Sequence, residues 1–265
     1  DLPSHMARMV VIQSGGDDPV LSRFYELNWH LIPNLALDVW THMTAPFMNV
    51  DWASRVFLIL SFVLLSSGTI FVHRALGGKG YWPYIGFVFI WNEIVLWGFL
   101  SFLFSVGLAL WLFGLWARFG GHKVLIRLVL HSAAAAVLLM CHFFGFAIYA
   151  LAVGAYEFGR VVLRWREQGP GLPSGEFGAA AAQFAPALIL FFLSQTSEGL
   201  VSIRFSGIWG KIVSYSTPVM LYSSTAQLIL VAAFVLVLAY LLCRGRAWIP
   251  FPCWFIVATG IVCSI

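Results

Sequence analysis

Residues 53–72 read ASRVFLILSFVLLSSGTIFV, and this stretch decides the fold class. As a helix it would be about 30 Å long, at about 1.5 Å per residue. That length matches the hydrocarbon thickness of a bilayer, which is about 30 Å. The one charged residue, Arg55, lies at the start of the stretch, where a long side chain can reach the interface. The stretch therefore predicts a membrane-spanning helix.

The composition extends this prediction to the whole chain. The 265 residues are 61% hydrophobic and 10% charged, with a mean hydropathy of +0.89. A soluble domain has about a quarter charged residues, so lipid must form part of the solvent of this protein. The apolar runs are continuous rather than alternating, which excludes an outer-membrane barrel. We expect an all-α fold: a polytopic transmembrane bundle with amphipathic juxtamembrane helices in its first outer loop.

The remaining apolar runs complete a predicted transmembrane domain of about eight spans over residues 53–265. Residues 124–162 would be about 58 Å long as one helix, so we expect two spans that reverse near residues 141–145. Residues 81–91 are short for a crossing. The further predicted spans are 94–116, 179–195, 219–243 and 251–265. The chain begins at Asp1 without an initiator Met and stops inside an apolar run, so we also expect it to be truncated at both ends.

The charges orient these spans. With residues 1–52 outside the cytoplasm, most basic residues fall on the cytoplasmic side: Arg74, Lys79, Arg118, Lys123, Arg127, Arg160, Arg164, Arg166, Arg244 and Arg246. This is the usual positive-inside bias. It accounts for the net charge of +4 without a nucleic-acid partner, and we expect none.

Residues 1–52 form a polar segment that we interpret as an extracytoplasmic loop. Pro3, Pro19 and Asn34 mark the starts of three short amphipathic helices, and Asp18 is expected to cap the second. Amphipathic helices of this kind lie at a membrane surface.

An Asp residue is followed by a His four residues later at two places in the loop: Asp1 with His5, and Asp38 with His42. Residues four apart share a helix face. Such a pair can orient an imidazole, tune a carboxylate or supply ligands to a divalent cation, and it also occurs on ordinary helix surfaces. A divalent cation held by these four residues stays one alternative.

Other candidate residues lie at predicted membrane edges. Glu93 separates two apolar runs, and a carboxylate at that depth either faces a cavity or reaches the interface. Arg204 and Lys211 lie in a second outer loop, where they can bind a lipid phosphate or anchor the loop to headgroups. His131 and His142 are interpreted as packed or interfacial residues.

Three stretches resemble the GT-C glycosyltransferases, the polytopic enzymes that use polyprenyl-phosphate-linked sugars. They are DLPSHMAR at residues 1–8, IPNLALD at 32–38 and NEIVLWGFLSFLFSVGLALW at 92–111. The resemblance covers residues 1–117, and only topology beyond them. It is closest to uncharacterised bacterial members, which implies the bacterial inner membrane and a role in the cell envelope.

The resemblance implies inverting transfer of a sugar to an acceptor hydroxyl on the extracytoplasmic face. Asp1 would be the base and His5 would orient it, while Asp38, His42 or Glu93 would support the acceptor or a cation. Arg204 or Lys211 would steady the leaving phosphate. The implied partners are the polyprenyl-phosphate sugar donor, membrane lipid, and a glycan, lipid or protein acceptor.

The chain differs from the family pattern at one position, and two other functions fit its sequence. Many family members carry paired acids where this chain has Asp1 followed by Leu2, which leaves the metal requirement and the acceptor class open. A transporter would instead use Glu93 and His142 as relay groups, although the full spans are poor in polar residues. A non-catalytic membrane scaffold would leave the loop acids in bulk water.

Overall fold

A computed structural model describes residues 2–91, 93–119, 124–169 and 174–194, with isolated residues between 225 and 243. Every regular element in these ranges is helical. The α-helices are α1 (Leu2–Ser14), α2 (Ala36–Thr44), α3 (Val50–Ala75), α4 (Glu93–Leu96), α5 (Leu100–Arg118), α6 (Val124–Cys141), α7 (Phe143–Gln168), α8 (Ser174–Ala182) and α9 (Ala185–Leu193). Short 3₁₀ helices cover Leu21–Arg23 and Trp82–Phe89.

Four of these helices, α3, α5, α6 and α7, are long and apolar enough to cross a membrane. The predicted fold class is therefore confirmed: the chain is a helical, multi-pass membrane protein. Residues 195–265, which include two predicted spans, fall outside the continuously described ranges.

Helices α3 and α5 pack side by side and run in the same direction. Phe57 stacks on Phe104 near their starts, and Phe71 stacks on Trp111 nearer their ends. Gly107 permits the close approach, because a Cβ there would lie 2.6 Å from the Leu64 Cβ and 3.0 Å from the Leu65 nitrogen. Two parallel neighbours require a return connection between them.

The return connection is the short apolar segment after α3. It runs antiparallel to α3, since Gly86 lies beside Thr69 while Trp91 contacts Phe62 farther back. The predicted short crossing at 81–91 thus takes the form of a 3₁₀ helix, which rises more per residue than an α-helix. The single helix predicted over 94–116 is wrong at its start. Gly98, with φ +79°, ends the short α4, and α5 begins at Leu100.

Helices α6 and α7 form a hairpin that reverses at His142, inside the predicted interval. The His142 ring caps α7, because its Nδ1 accepts a hydrogen bond of 3.2 Å from the Phe144 amide. The returning α7 packs against α5 and α6 around the fully buried Trp116, Leu138 and Tyr149.

The stretch predicted as one span at 179–195 is divided into α8 and α9. Pro186 lacks the amide hydrogen that a continuous helix would need at this position. The interruption leaves Gln183 completely buried between the two short helices.

The first loop folds across one end of the bundle, which we call the capped end. The Leu35 amide donates to the Met140 carbonyl at 2.8 Å, and the Trp40 indole donates to the Ala53 carbonyl at 2.9 Å. The ends of α3, α5 and α7 and the start of α6 lie at the other end, called here the opposite end.

Two of the three predicted loop helices form, as α1 and α2. The second is wrong: only the 3₁₀ turn Leu21–Arg23 follows Pro19, although Asp18 does cap it by accepting from the Val20 and Leu21 amides. Asn34 does not cap α2. It adopts φ +83°, a left-handed conformation that Asn tolerates, and Leu35 precedes the helix instead.

Candidate functional site

A cleft of about 210 Å³ opens within the folded loop, between α1, α2 and the irregular segment that joins them. We call it the loop cleft. Its polar lining comes from Arg8, Glu26, Asn28, His30 and Asp38, and its apolar lining from Val11, Ile12, Tyr25, Leu27, Trp29, Ile32 and Leu35. Aromatic rings beside a few convergent polar groups are typical of a small-molecule site.

Asp38 is the most informative group of the cleft. Helix α2 turns it inward, and the residue is only 5% exposed. Its Oδ2 accepts a charged hydrogen bond from Arg8 Nη2, whereas its Oδ1 accepts none within the described part of the chain. Burial raises the pKa of this carboxyl, and the charges of Arg8 and His5 oppose that rise. Asp38 therefore presents one oxygen that a bound hydroxyl can satisfy.

His5 lies close enough to Asp38 for each to affect the other's titration. The pKa of His5 is lowered, first by burial; the positive charge of Arg8 also lowers it, and Asp38 acts in the other direction. The imidazole is thus neutral at pH 7 and can accept or donate a hydrogen bond. The structure therefore brings together two of the predicted site residues, His5 and Asp38.

His42 lies on the same helix as Asp38 but turns outward. It is exposed, and its ring meets the edge of Trp29 at 5.4 Å between ring centres. No hydrogen bond joins Asp38 to His42 in the described ranges, so the spacing of Asp38 and His42 does not produce a contacting pair. His42 reaches the cleft only through Trp29, which belongs to its wall.

The structure does not describe the side chains of the other four predicted site residues. Asp1, Arg204 and Lys211 lie outside the described residues. Glu93 begins α4, on the return segment that leads to the capped end, and its side chain is not described. Within the described ranges, no group of three His, Cys, Asp or Glu side chains could hold a metal ion.

The sequence reading missed the segment of residues 25–30, which supplies half of the cleft wall. The hydrophobic pattern predicts that this segment is part of an amphipathic helix at the membrane surface, not the wall of a cleft. The available signal was the density of Tyr, Trp, Asn and His in a stretch between Pro19 and Pro33.

A second polar cluster, also missed, lies inside the bundle toward the opposite end. Glu157 accepts from the Trp116 indole at 2.9 Å and from Arg160 at 3.0 and 3.1 Å, and it lies 3.8 Å from Arg127. Deeper in the bundle, the Tyr149 hydroxyl joins His131 and Gln183, each at 2.8 Å. We call this cluster the bundle network.

Comparison with known proteins finds no match to a protein-family model, to a curated protein or to a solved structure.

Proposed function

We propose that this protein is a membrane glycosyltransferase that works at its capped end. It transfers a sugar from a polyprenyl-phosphate donor to an acceptor hydroxyl, with inversion at the anomeric carbon. The observation that carries the proposal is the buried Asp38 carboxylate on the wall of the loop cleft, whose Oδ1 accepts no hydrogen bond from the residues that the structure describes. Sugar and glycan acceptors present such donors as hydroxyl groups.

The chemistry divides between two carboxylates. The family resemblance gives the proton-accepting role to Asp1. To take the proton, its carboxylate must lie within hydrogen-bond distance of the attacking hydroxyl. Asp38 would hold an acceptor hydroxyl through Oδ1, while the neutral His5 orients the reacting groups. The acceptor oxygen then bonds to the anomeric carbon, the bond from that carbon to the phosphate oxygen breaks, and polyprenyl phosphate leaves.

The position of the loop supports a lipid-linked donor. Large apolar side chains at the capped end are exposed, among them Phe24, Phe47 and Trp52. Aromatic side chains of this kind are typical of the membrane interface. A donor whose phosphate lies at the interface would therefore present its sugar at the level of the loop cleft.

The charges support the proposed orientation. The described cations at the opposite end include Arg74, Arg118, Arg164 and Arg166, whereas the capped end carries acids such as Asp51. By the positive-inside rule, the opposite end is cytoplasmic and the loop cleft extracytoplasmic. The proposed location is the bacterial inner membrane, in service of the cell envelope.

The test is sugar transfer by the full chain in proteoliposomes, with a panel of polyprenyl-phosphate hexoses and pentoses. Asp1→Asn should abolish transfer. Asp38→Asn should raise the acceptor KM about 10- to 100-fold, since a hydrogen bond to a charged group contributes about 1.5–3 kcal/mol. The matched control is Asp51→Asn, which changes an exposed acid on the first turn of α3.

Two results would overturn the proposal. If no donor in the panel is consumed, the protein is not this enzyme. If transfer occurs but Asp38→Asn behaves like Asp51→Asn, the loop cleft is not where the acceptor binds.

A transporter is a second candidate, favoured by one observation. The interruption between α8 and α9 sets Gln183 beside Tyr149 and His131, well inside the spans. Interrupted helices with polar side chains near the bilayer midplane are typical of transporters. Uptake of labelled solutes into the same proteoliposomes, and its loss in Gln183→Leu, would decide for this alternative.

A further inference from the structure

A second cavity lies between α5 and α6, away from the loop cleft, with a volume of about 440 Å³. We call it the lipid groove. Its lining is Leu112, Leu115 and Phe119 from α5 and its end, and Ile126, Arg127, Leu130, His131 and Ala134 from α6. This volume is within the range of cavities that hold small molecules, about 300–1,000 Å³.

The groove has a direction. Arg127 lies in the first turn of α6, at the opposite end of the bundle, and Ala134 lies about 10 Å farther into the bundle at about 1.5 Å per residue. The Arg127 guanidinium is fixed in place: it lies 3.4 Å above the Trp116 ring and donates to the Trp116 carbonyl at 2.8 Å. The groove therefore has a cationic end near the membrane surface and an apolar body below it.

The groove also opens sideways into the membrane. Ile126 and Leu130, on its rim, are 55% and 64% exposed. Both belong to a helix long and apolar enough to span the bilayer, and exposed apolar side chains of a spanning helix face hydrocarbon rather than water. An apolar cavity that opens into hydrocarbon is suited to an acyl chain.

The charge around the mouth selects the headgroup. Arg118, in the last turn of α5, is exposed immediately before Phe119, and Arg127 lies across the mouth on α6. The nearby acid, Glu157, accepts from Trp116 and Arg160 and lies 3.8 Å from Arg127, so it offsets part of the positive charge there. The exposed Arg118 adds a further positive charge, which favours an anionic headgroup, as in other basic sites between spans.

We propose that the lipid groove binds an anionic phospholipid from the leaflet at the opposite end of the bundle. One acyl chain lies along Leu112, Leu130 and Ala134, and the phosphate lies at the Arg118 and Arg127 end. This site is independent of the loop cleft, and it needs neither a sugar donor nor an acceptor.

The test is native mass spectrometry of the full chain in detergent, titrated with phosphatidylglycerol or with phosphatidylcholine. The expected result is about 10-fold tighter retention of phosphatidylglycerol, corresponding to about 1.4 kcal/mol. Ala134→Phe fills the groove and should remove that preference together with most lipid retention. Ala133→Phe is the matched control: it adds the same side chain at the next residue, which is exposed and does not line the groove.

A second variant removes positive charge at the mouth of the lipid groove without filling the groove. Arg118→Gln should lower phosphatidylglycerol retention toward that of phosphatidylcholine, and it leaves the buried Arg127 contacts in place. Equal retention of the two lipids by the unchanged protein would overturn the proposal. So would equal retention by Ala134→Phe and Ala133→Phe. If neither lipid is retained and only Ala134→Phe lowers the melting temperature, a segment of this chain fills the groove, which also overturns the proposal.

Discussion

The loop cleft and the bundle network each bury a carboxylate beside arginine, but they complete its hydrogen bonds differently. In the bundle network, Glu157 uses both oxygens, one toward Trp116 and Arg160 and the other toward Arg160 again. In the loop cleft, Asp38 accepts from the described residues only at Oδ2, from Arg8. A fully bonded buried charge holds helices together, whereas a carboxylate with an oxygen to spare at a cavity wall can recognise a ligand.

This comparison predicts that Glu157→Gln is the most damaging change to stability. The variant leaves the buried Arg127 without its counter-charge, and breaking a buried ion pair in this way costs about 3–5 kcal/mol. Thermal unfolding in detergent would measure the loss. Asp38→Asn should unfold nearly like the unchanged protein, because its partner Arg8 is half exposed and can be solvated.

Glu167→Gln is the control, since it removes an exposed acid from the end of the same helix, α7. The double variant Arg127→Leu with Glu157→Leu should be more stable than Glu157→Leu alone, because no buried charge is left unpaired. Equal destabilisation by Glu157→Gln and Asp38→Asn would remove the distinction between the two regions.

The bundle also depends on the close approach of two helix backbones at a glycine. Gly107→Ala should cost about 1–3 kcal/mol, because the new methyl group meets the backbone of α3 at Leu65. Gly154→Ala makes the same substitution on α7 where nothing lies within 4 Å, and it should instead stabilise the helix by up to about 1 kcal/mol. Melting temperatures of the two variants test the sign as well as the size; a gain in Gly107→Ala would contradict the parallel packing of α3 and α5.

The smallest expected effect is a shift in pH dependence at the loop cleft. The charge and the hydrogen bond of Arg8 both lower the pKa of Asp38, against the larger effect of burial. Arg8→Gln should therefore raise that pKa further. Ionised Asp38, which receives a hydrogen bond from the hydroxyl group of the acceptor substrate, is then lost at a higher pH. The acidic limb of the acceptor affinity should move upward in pH.

Arg23→Gln is the control for that shift, because Arg23 belongs to the loop but not to the cleft wall. A shift of the acidic limb toward lower pH in Arg8→Gln would show that Asp38 is not the group that titrates.

The sequence predicted secondary structure correctly wherever a single physical requirement determined it. Bilayer thickness determines the length of a span, so α3 and the reversal at His142 could be read from apolar run length. Local backbone chemistry predicted the cap by Asp18. The same reasoning failed for the helix predicted from Pro19 to His30, where only the 3₁₀ turn Leu21–Arg23 forms and the rest of the segment lines the loop cleft.

The candidate site was only partly predictable. His5 and Asp38 were identified as chemistry-bearing residues by their type and by their place in the polar loop. Their proximity, and the pairing of Asp38 with Arg8 rather than with His42, depend on how α1 crosses α2. The residues of the bundle network were hidden for a similar reason, because polar residues spread over α5, α6, α7 and the break before α9 form no pattern along the chain.

By itself, the sequence determined that this protein is helical, that it spans the membrane, and that its first loop is amphipathic. Those properties follow from transfer of apolar side chains into lipid, which is summed along the chain and needs no knowledge of neighbours. Only the tertiary structure decided that Glu157 accepts at both oxygens, whereas Asp38 accepts from the described part of the chain at Oδ2 alone. Hydrogen bonds and ion pairs depend on distances of a few ångströms between residues far apart in sequence, and packing sets those distances.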